Sequence, residues 1–228
     1  MARVRSNRGE GARLRDELLD AAEQLLAEHG DERDVTIRAI VGRAGVTPPA
    51  LYLHFPDKQA LIREVVVRGF EDLARTTAAA AEVAGEAAGE GGAVAALRAG
   101  VLAYLGWAER YPGRYRALFD ARRETQLLRP DGTGTSVAFD GLVARIAAVQ
   151  AAGAARGGDP ERIATLLWAA EHGLATLRVA RDRFPWPPPG ELVDGLLVTI
   201  VGVDPAALPT GAPFGGAAPG LSPSATPG

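Results

Sequence analysis

Between Thr36 and Lys58 the chain reads TIRAIVGRAGVTPPALYLHFPDK, and this run limits the possible folds more than any other part of the sequence. Thr36 is a natural N-cap for a short helix whose apolar positions Ile37, Ile40, Val41 and Ala44 recur three and four apart. Gly45 supplies a left-handed residue after its last turn, and Val46 plugs that turn. Thr47 then caps a second short helix, Pro48 to His54, with Pro48 at the first position, where a missing amide hydrogen costs nothing. Pro56 stops it, because a residue preceding proline avoids helical geometry, and Asp57 caps the helix that follows. Two short helices meeting steeply at Ala44-Gly45-Val46-Thr47, with an amphipathic helix before and a longer one after, make the arrangement of a three-helix DNA-reading unit. Helix pairs with a glycine turn also fill ordinary cores, so the geometry leaves both readings open.

The remaining periodicity is helical, and the expected fold class is all-α. Leu14, Leu18, Ala22, Leu25 and Leu26 form one buried stripe, ended by Gly30. From Lys58 a helix shows Leu61, Ile62, Val65, Val66, Phe70 and Leu73 on one side and is expected to fade in the Gly-rich stretch 85–92. Further helices are expected over 93–109, 137–155, 160–182 and 191–201, with an exposed loop at 129–134 and a stiff connector at Pro185-Trp186-Pro187-Pro188-Pro189. From Val203 on, the last 26 residues hold 6 Pro and 5 Gly and little to bury, so a disordered tail is expected there. The expected organisation is a flexible basic arm at 1–12, a DNA-binding domain at 13–58, a helical ligand-binding and dimerisation domain at 59–202, and the tail at 203–228.

Charge and composition exclude several classes. A net charge of -3 rules out a uniformly basic coat, so a polyanion must be met by a local patch. Five arginines against one glutamate in residues 1–15 suit either an arm in a minor groove or a solvated leader. The absence of cysteine removes thiolate metal sites and cysteine nucleophiles. No phosphate-binding P-loop is present, and apolar runs are broken by charge well short of the roughly 20 residues of a membrane span. A cytoplasmic protein without a membrane partner is therefore expected.

With these residues in place, Leu18 to about Phe70 resembles the N-terminal domain of the TetR (tetracycline-repressor-like) family of transcription regulators. The resemblance implies that Thr36, Arg38, Thr47, Tyr52, His54 and Lys58 meet phosphates, and that Pro48, Pro49 and Leu53 face bases. Those last three are apolar, which favours thymine methyls and DNA shape over direct hydrogen-bond readout. Taken singly, Tyr52 reads rather as a half-buried core tyrosine, His54 as a helix-end histidine and Lys58 as a surface charge; within the motif the phosphate reading prevails.

Leu167-Trp168-Ala169-Ala170-Glu171-His172-Gly173-Leu174 resembles the Trp-x-x-x-His-Gly stretch of one TetR-type C-terminal subfamily. This implies a homodimer whose last two helices pair with a second subunit's, through Leu167, His172, Gly173, Leu174, Leu177, Leu192, Gly195 and Leu196; the alternative places these residues in the intramolecular core. An effector site is expected around Tyr104, Trp107, Tyr111, Tyr115, Phe119 and Trp168, although aromatics at helical spacing also make core. The implied function is a ligand-responsive regulator, a repressor at a palindromic operator released by an unidentified small molecule. Alternatives are a regulator without a small-molecule response and an activator. A helical enzyme is the least supported class: Ser136 lacks a nucleophile elbow, adjacent Glu171 and His172 do not form a zinc pair, and Gly132-x-Gly134 lacks a dinucleotide fingerprint. No cofactor or metal is expected.

Overall fold

The computed structural model describes residues 8–29, 31–120 and 137–209. Its helices are α1 (Arg8–His29), α2 (Ile37–Ala44), α3 (Pro48–Tyr52), α4 (Lys58–Ala88), α5 (Gly92–Arg110), α6 (Pro112–Asp120), α7 (Val137–Ala151), α8 (Pro160–Ala180) and α9 (Pro189–Leu196). A wider π turn, Leu197–Val201, extends α9, and a 3₁₀ turn, Pro205–Ala207, follows. Among the described residues the only extended pairing is an isolated antiparallel bridge, Ala155 to Val203. The fold is all-α.

Local chemistry sets the head's boundaries. Thr36 Oγ1 accepts from the Ala39 amide at 3.1 Å, and Asp57 Oδ1 accepts from Ala60 at 2.7 Å, so both caps form as the sequence implies. Gly45 sits at φ 69°, where the Gly45 amide reaches the Gly42 carbonyl (3.4 Å) and the Val46 amide reaches the Val41 carbonyl (2.9 Å). That paired closure lets α2 stop within one residue. α3 is shorter than expected: Leu53 and His54 leave the helix, while the His54 and Phe55 amides both bond the Leu51 carbonyl. α1 begins at Arg8, so the expected arm over 1–12 is helical from residue 8; Arg3 and Arg5 lie outside the described residues.

The glycine-rich stretch near residue 90 does not dissolve into a loop. α4 runs to Ala88 and α5 starts at Gly92 after one 3₁₀ turn, Gly89–Gly91. A Cβ on Gly92 would stand 2.7 Å from the Gly85 carbonyl oxygen, so glycine there permits the two long helices to double back in contact. By composition alone, part of Lys58–Arg110 reaches the length and mean hydropathy (1.2) of a membrane span, but half of that stretch is buried inside the protein. Pro189 is also helical rather than part of the stiff connector, because it occupies the first turn of α9, where proline is tolerated.

One apolar core runs through the described residues, from Leu18, Leu25, Ile40, Leu51 and Phe55 in the head to Leu97, Leu105, Ile146, Leu167 and Leu197 behind it. α9 is tied to α5 by a bidentate pair, Arg98 Nε to Asp194 Oδ1 at 2.5 Å and Nη2 to Oδ2 at 3.1 Å. The expected disordered tail starts too early. Val203 is buried, its amide bonds the Leu197 carbonyl, and the Asp204 amide bonds Ala154. The 129–134 loop and residues 210–228 lie outside the described residues.

Gly45→Ala is expected to lower stability by about 1 kcal/mol, read as a shifted urea midpoint with unchanged slope. Open space surrounds that position, so the loss reports backbone strain alone.

Candidate nucleic-acid interface and aromatic chamber

The head carries its candidate functional side chains on a two-sided α3. Leu51 and Phe55 are buried, packing the helix down onto α1 and α4, while Tyr52 is 51% exposed and Leu53 83% exposed. Pro48, Pro49 and Thr47 are exposed beside them, and the Thr47 hydroxyl makes no capping bond. Leaving a leucine almost fully in water removes no apolar area from solvent, so Leu53 contributes nothing to the core. On α2, Thr36 and Arg38 are exposed. Arg43 is neutralised by Glu28 (2.6 and 2.7 Å) and Arg33 by Asp31, whereas Arg38 has no acidic partner among the described residues. Thr36, Arg38, Thr47, Pro48, Pro49, Tyr52 and Leu53 thus share accessible positions.

Two residues expected on phosphates have internal partners as well. The Lys58 ammonium donates to the carbonyls of Glu32 (2.8 Å) and Val35 (3.1 Å), closing the α1–α2 connection onto the start of α4. Two of its three hydrogens are therefore committed inside the head. His54 is half-buried, with Cε1 3.8 Å from where a Gly11 Cβ would lie, so its ring rests on the start of α1. Arg15 bonds both Glu64 carboxylate oxygens and covers the Phe55 ring at 5.0 Å, tying α1, α4 and the end of the α3 segment together.

Behind the head, aromatic residues of α5, α6 and α8 pack ring against ring in one cluster, the aromatic chamber. Tyr104 and Tyr115 hydroxyls are 2.8 Å apart, and Tyr115 bonds His172 Nδ1 at 2.7 Å. The His172 ring stacks on Tyr115 (5.5 Å) and meets Phe119 (4.5 Å) and Trp168 (6.2 Å). Burial pushes both tyrosine hydroxyls well above their usual range. Trp107 donates to Asp72 Oδ2 at 3.0 Å and lies tilted against Tyr115 (6.4 Å) and against Tyr111 (5.6 Å), which is half-buried at the edge of the cluster. Of the six aromatics expected at an effector site, Tyr104, Trp107 and Tyr115 are core residues by burial; Trp168 is partly exposed.

Sequence reasoning missed the chamber's charges. Glu171 is buried with Ala164, Leu167 and Ala175, the three-and-four spacing of the inward stripe of α8, which was the available signal. Burial pushes its carboxyl up to about 8, against the opposing influence of Arg145. Arg145 is itself lowered by burial and its Nε is buried without a hydrogen bond.

The expected dimer residues divide. Leu167 is fully buried within its own protomer and His172 is engaged by Tyr115, because both point into the bundle rather than out of it. Leu174 is half-buried against the core. A Cβ on Gly173 would meet nothing within 4 Å, and Leu177 is half-exposed. Leu192, Gly195 and Leu196 line a shallow apolar groove of about 400 Å³ with Pro187, Thr199 and Ile200.

Residues 18–65 match the family model "Bacterial regulatory proteins, tetR family", and residues 97–200 match "Tetracyclin repressor-like, C-terminal domain". Together these cover about two thirds of the chain. The chain is 28% identical over 153 residues to an HTH-type transcriptional regulator of Mycobacterium tuberculosis, covering 66% of this chain and 74% of the relative. It is 45% identical over 58 residues to the HTH-type transcriptional repressor KstR2 of Rhodococcus jostii, covering 25% of this chain and 28% of the relative. A solved structure from Rhodococcus sp. RHA1 superposes with a TM-score of 0.65 at 28% identity, over 83% of this chain and 95% of that one.

Two outcomes follow from this geometry. Lys58→Met keeps the aliphatic stem but removes both carbonyl contacts, and is expected to cost about 2 kcal/mol in urea unfolding. For Glu171, the folded protein holds its proton to about pH 8, whereas the unfolded chain releases it near 4.5, so stability drains away as pH climbs through that window. Glu171→Gln should flatten the decline, measured as the difference between urea midpoints at about pH 5.5 and about pH 8.

Proposed function

Because the chain belongs to the TetR family of transcriptional regulators, we propose that it acts as a homodimeric repressor, binding a palindromic operator and leaving it when a small-molecule effector enters the α5–α8 chamber. It is a regulator, not an enzyme. The observation that carries the reading is the sidedness of α3, with Leu51 and Phe55 inside and Tyr52 and Leu53 in solvent. An exposed Leu53 beside Pro48 and Pro49 suits thymine methyls in a major groove. Thr36, Arg38, Thr47 and Tyr52 supply donors to phosphate oxygens on either side, joined by His54 and the remaining hydrogen of Lys58.

A second copy of the chain is the proposed occupant of the groove along α9, with the outer face of α8 around Gly173 and Leu177 beside it. That pairing would present two copies of α3 to successive major grooves, roughly 34 Å apart. The repressor assignment is supported by the 45% identity over 58 residues to the repressor KstR2. Loss of DNA on effector binding requires different effector affinities in the two conformations, since equal affinity shifts no equilibrium.

Selection of bound DNA from a random library, followed by affinity measured against salt, tests the proposal. A two-fold symmetric consensus and a steep salt slope are expected; an asymmetric or absent consensus would remove it. On the selected site, Arg38→Ala and Tyr52→Phe should weaken all sequences alike, by roughly tenfold or about 1.4 kcal/mol for the arginine. Leu53→Ala should instead change which bases are preferred at one position in each half-site.

A further inference from the structure

Two charged side chains lie inside the helical domain without the hydrogen bonds such groups need. Glu171, on the inward stripe of α8, is 3% exposed and has no hydrogen bond among the described residues. Arg145, on α7, has neither an ion-pair partner nor a hydrogen bond at its buried Nε among those residues. The two feel each other's charge but do not bond. Buried polar atoms are almost always paired in folded proteins, and an uncompensated buried charge is costly.

Arg145 lies in a slot made by two glycines. A Cβ on Gly100 of α5 would stand 3.0 Å from its Nε, and a Cβ on Gly141 of α7 would stand 3.3 Å from its Nη1, so the guanidinium rests where side chains are missing. The neighbouring groups do not neutralise it. Glu171 acts electrostatically on the Tyr104 and Tyr115 hydroxyls, from α5 and α6, but these bond each other at 2.8 Å, and Tyr115 bonds His172 at 2.7 Å. Asp72 of α4 is engaged by Trp107 and Arg75, and Asp194 of α9 by Arg98.

Charge decides what this pair accepts. At neutral pH the Glu171 carboxyl keeps its proton, because burial pushes it up to about 8, so Arg145 is one unpaired positive charge beside a neutral O–H donor. An organic cation would be repelled there. Other arginines near the rings are committed, Arg98 to Asp194, Arg114 to Glu23 and Arg178 to Glu109. One positive charge and one neutral donor match one carboxylate. The surrounding rings match an aromatic body: Trp168, 38% exposed, meets Phe119 (6.3 Å) and Phe139 (6.1 Å), so the cluster reaches solvent at this point.

We propose that the helical domain binds an aromatic monocarboxylate, with the carboxylate between Arg145 and Glu171 and the ring among Phe119, Phe139 and Trp168. The inference rests on the regulatory reading above and names the chemical class of its effector. Arg145 donates charge-assisted hydrogen bonds to the carboxylate, and the Glu171 hydroxyl donates to its second oxygen. Apolar walls with a few convergent polar groups are the usual construction of a small-molecule site.

Isothermal titration of the full-length protein without DNA tests this. The probes are benzoate, 3-phenylpropionate and 2-naphthoate, each beside its primary amide, with 3-phenylpropylamine as the cation. At about pH 7 at least one acid is expected to bind with a Kd below about 1 mM and about tenfold tighter than its amide, with the amine weakest. Arg145→Gln should weaken that acid about thirtyfold. Raising the pH from about 7 to about 9 should weaken it about tenfold, because Glu171 ionises, neutralises Arg145 and repels the ligand. Glu171→Gln keeps a donor but cannot ionise, so most of that fall should vanish. Tyr104, Tyr115 and His172 are unaltered in this variant, and a fall that survives in it would belong to them and overturn the part given to Glu171. Equal binding of acid and amide, tighter binding of the amine, or no binding of any acid at about 5 mM would overturn the proposal, the last because ordered water alone then satisfies the pair. Those comparisons use the unaltered chain, so they stand even where a variant fails to fold. A failed DNA selection, or operator affinity unchanged by a bound acid, would count against the regulatory reading and leave the carboxylate site to be judged by titration.

Discussion

Burial of Leu51 and Phe55 is the constraint on which the rest of the head depends. α3 is only five residues long, far too short to be helical by its own propensity. It holds its place because two side chains on one face enter a core supplied by α1, α2 and α4, and Arg15 closes over Phe55 from outside. Once that face is committed, Tyr52 and Leu53 have nowhere to go but outward. The apolar surface left in solvent adds nothing to stability, and it is the surface proposed to meet a DNA groove.

A second layer of organisation comes from charges that span elements. Lys58 fastens the α1–α2 connection to α4, Arg15 fastens α1 to Glu64, Arg114 fastens α6 to Glu23, and Arg98 fastens α5 to Asp194. Exposed pairs contribute little to stability. Asp194, being almost fully buried, depends on its bidentate partner, because an uncompensated buried carboxylate is costly. Glu171 is the exception in this set. It is as buried as Asp194 but has no hydrogen bond from Arg145, and the result is a carboxyl that holds its proton into the neutral range.

Legibility in the sequence followed the range of the interaction. Thr36, Gly45, Val46, Pro48 and Asp57 were readable because caps and turns are decided within four residues. Leu167 and His172 were placed on a dimer face by resemblance, and both turned inward: a stripe at three-and-four spacing shows that one side of α8 is buried, not what buries it. Glu171 lay on that same inward stripe and was legible, but a charged residue in an apolar register is easily passed over. Gly85 and Gly92 read as helix breakers, and they serve close packing of α4 on α5 because a long antiparallel contact offsets the poor propensity of glycine.

By itself, the sequence determined the helical class, the steep turn between two short helices, and the caps that begin α2 and α4. Each of these is set by local backbone preference and by spacing along one helix. Tertiary structure alone decided that the Lys58 amine meets two carbonyls, that α6 carries the chamber on one side and α1 on the other, and that Glu171 shares its buried side with Arg145. Those outcomes depend on which surfaces come together between residues 23 to 91 positions apart in the chain, and periodicity along a helix holds no record of its neighbour.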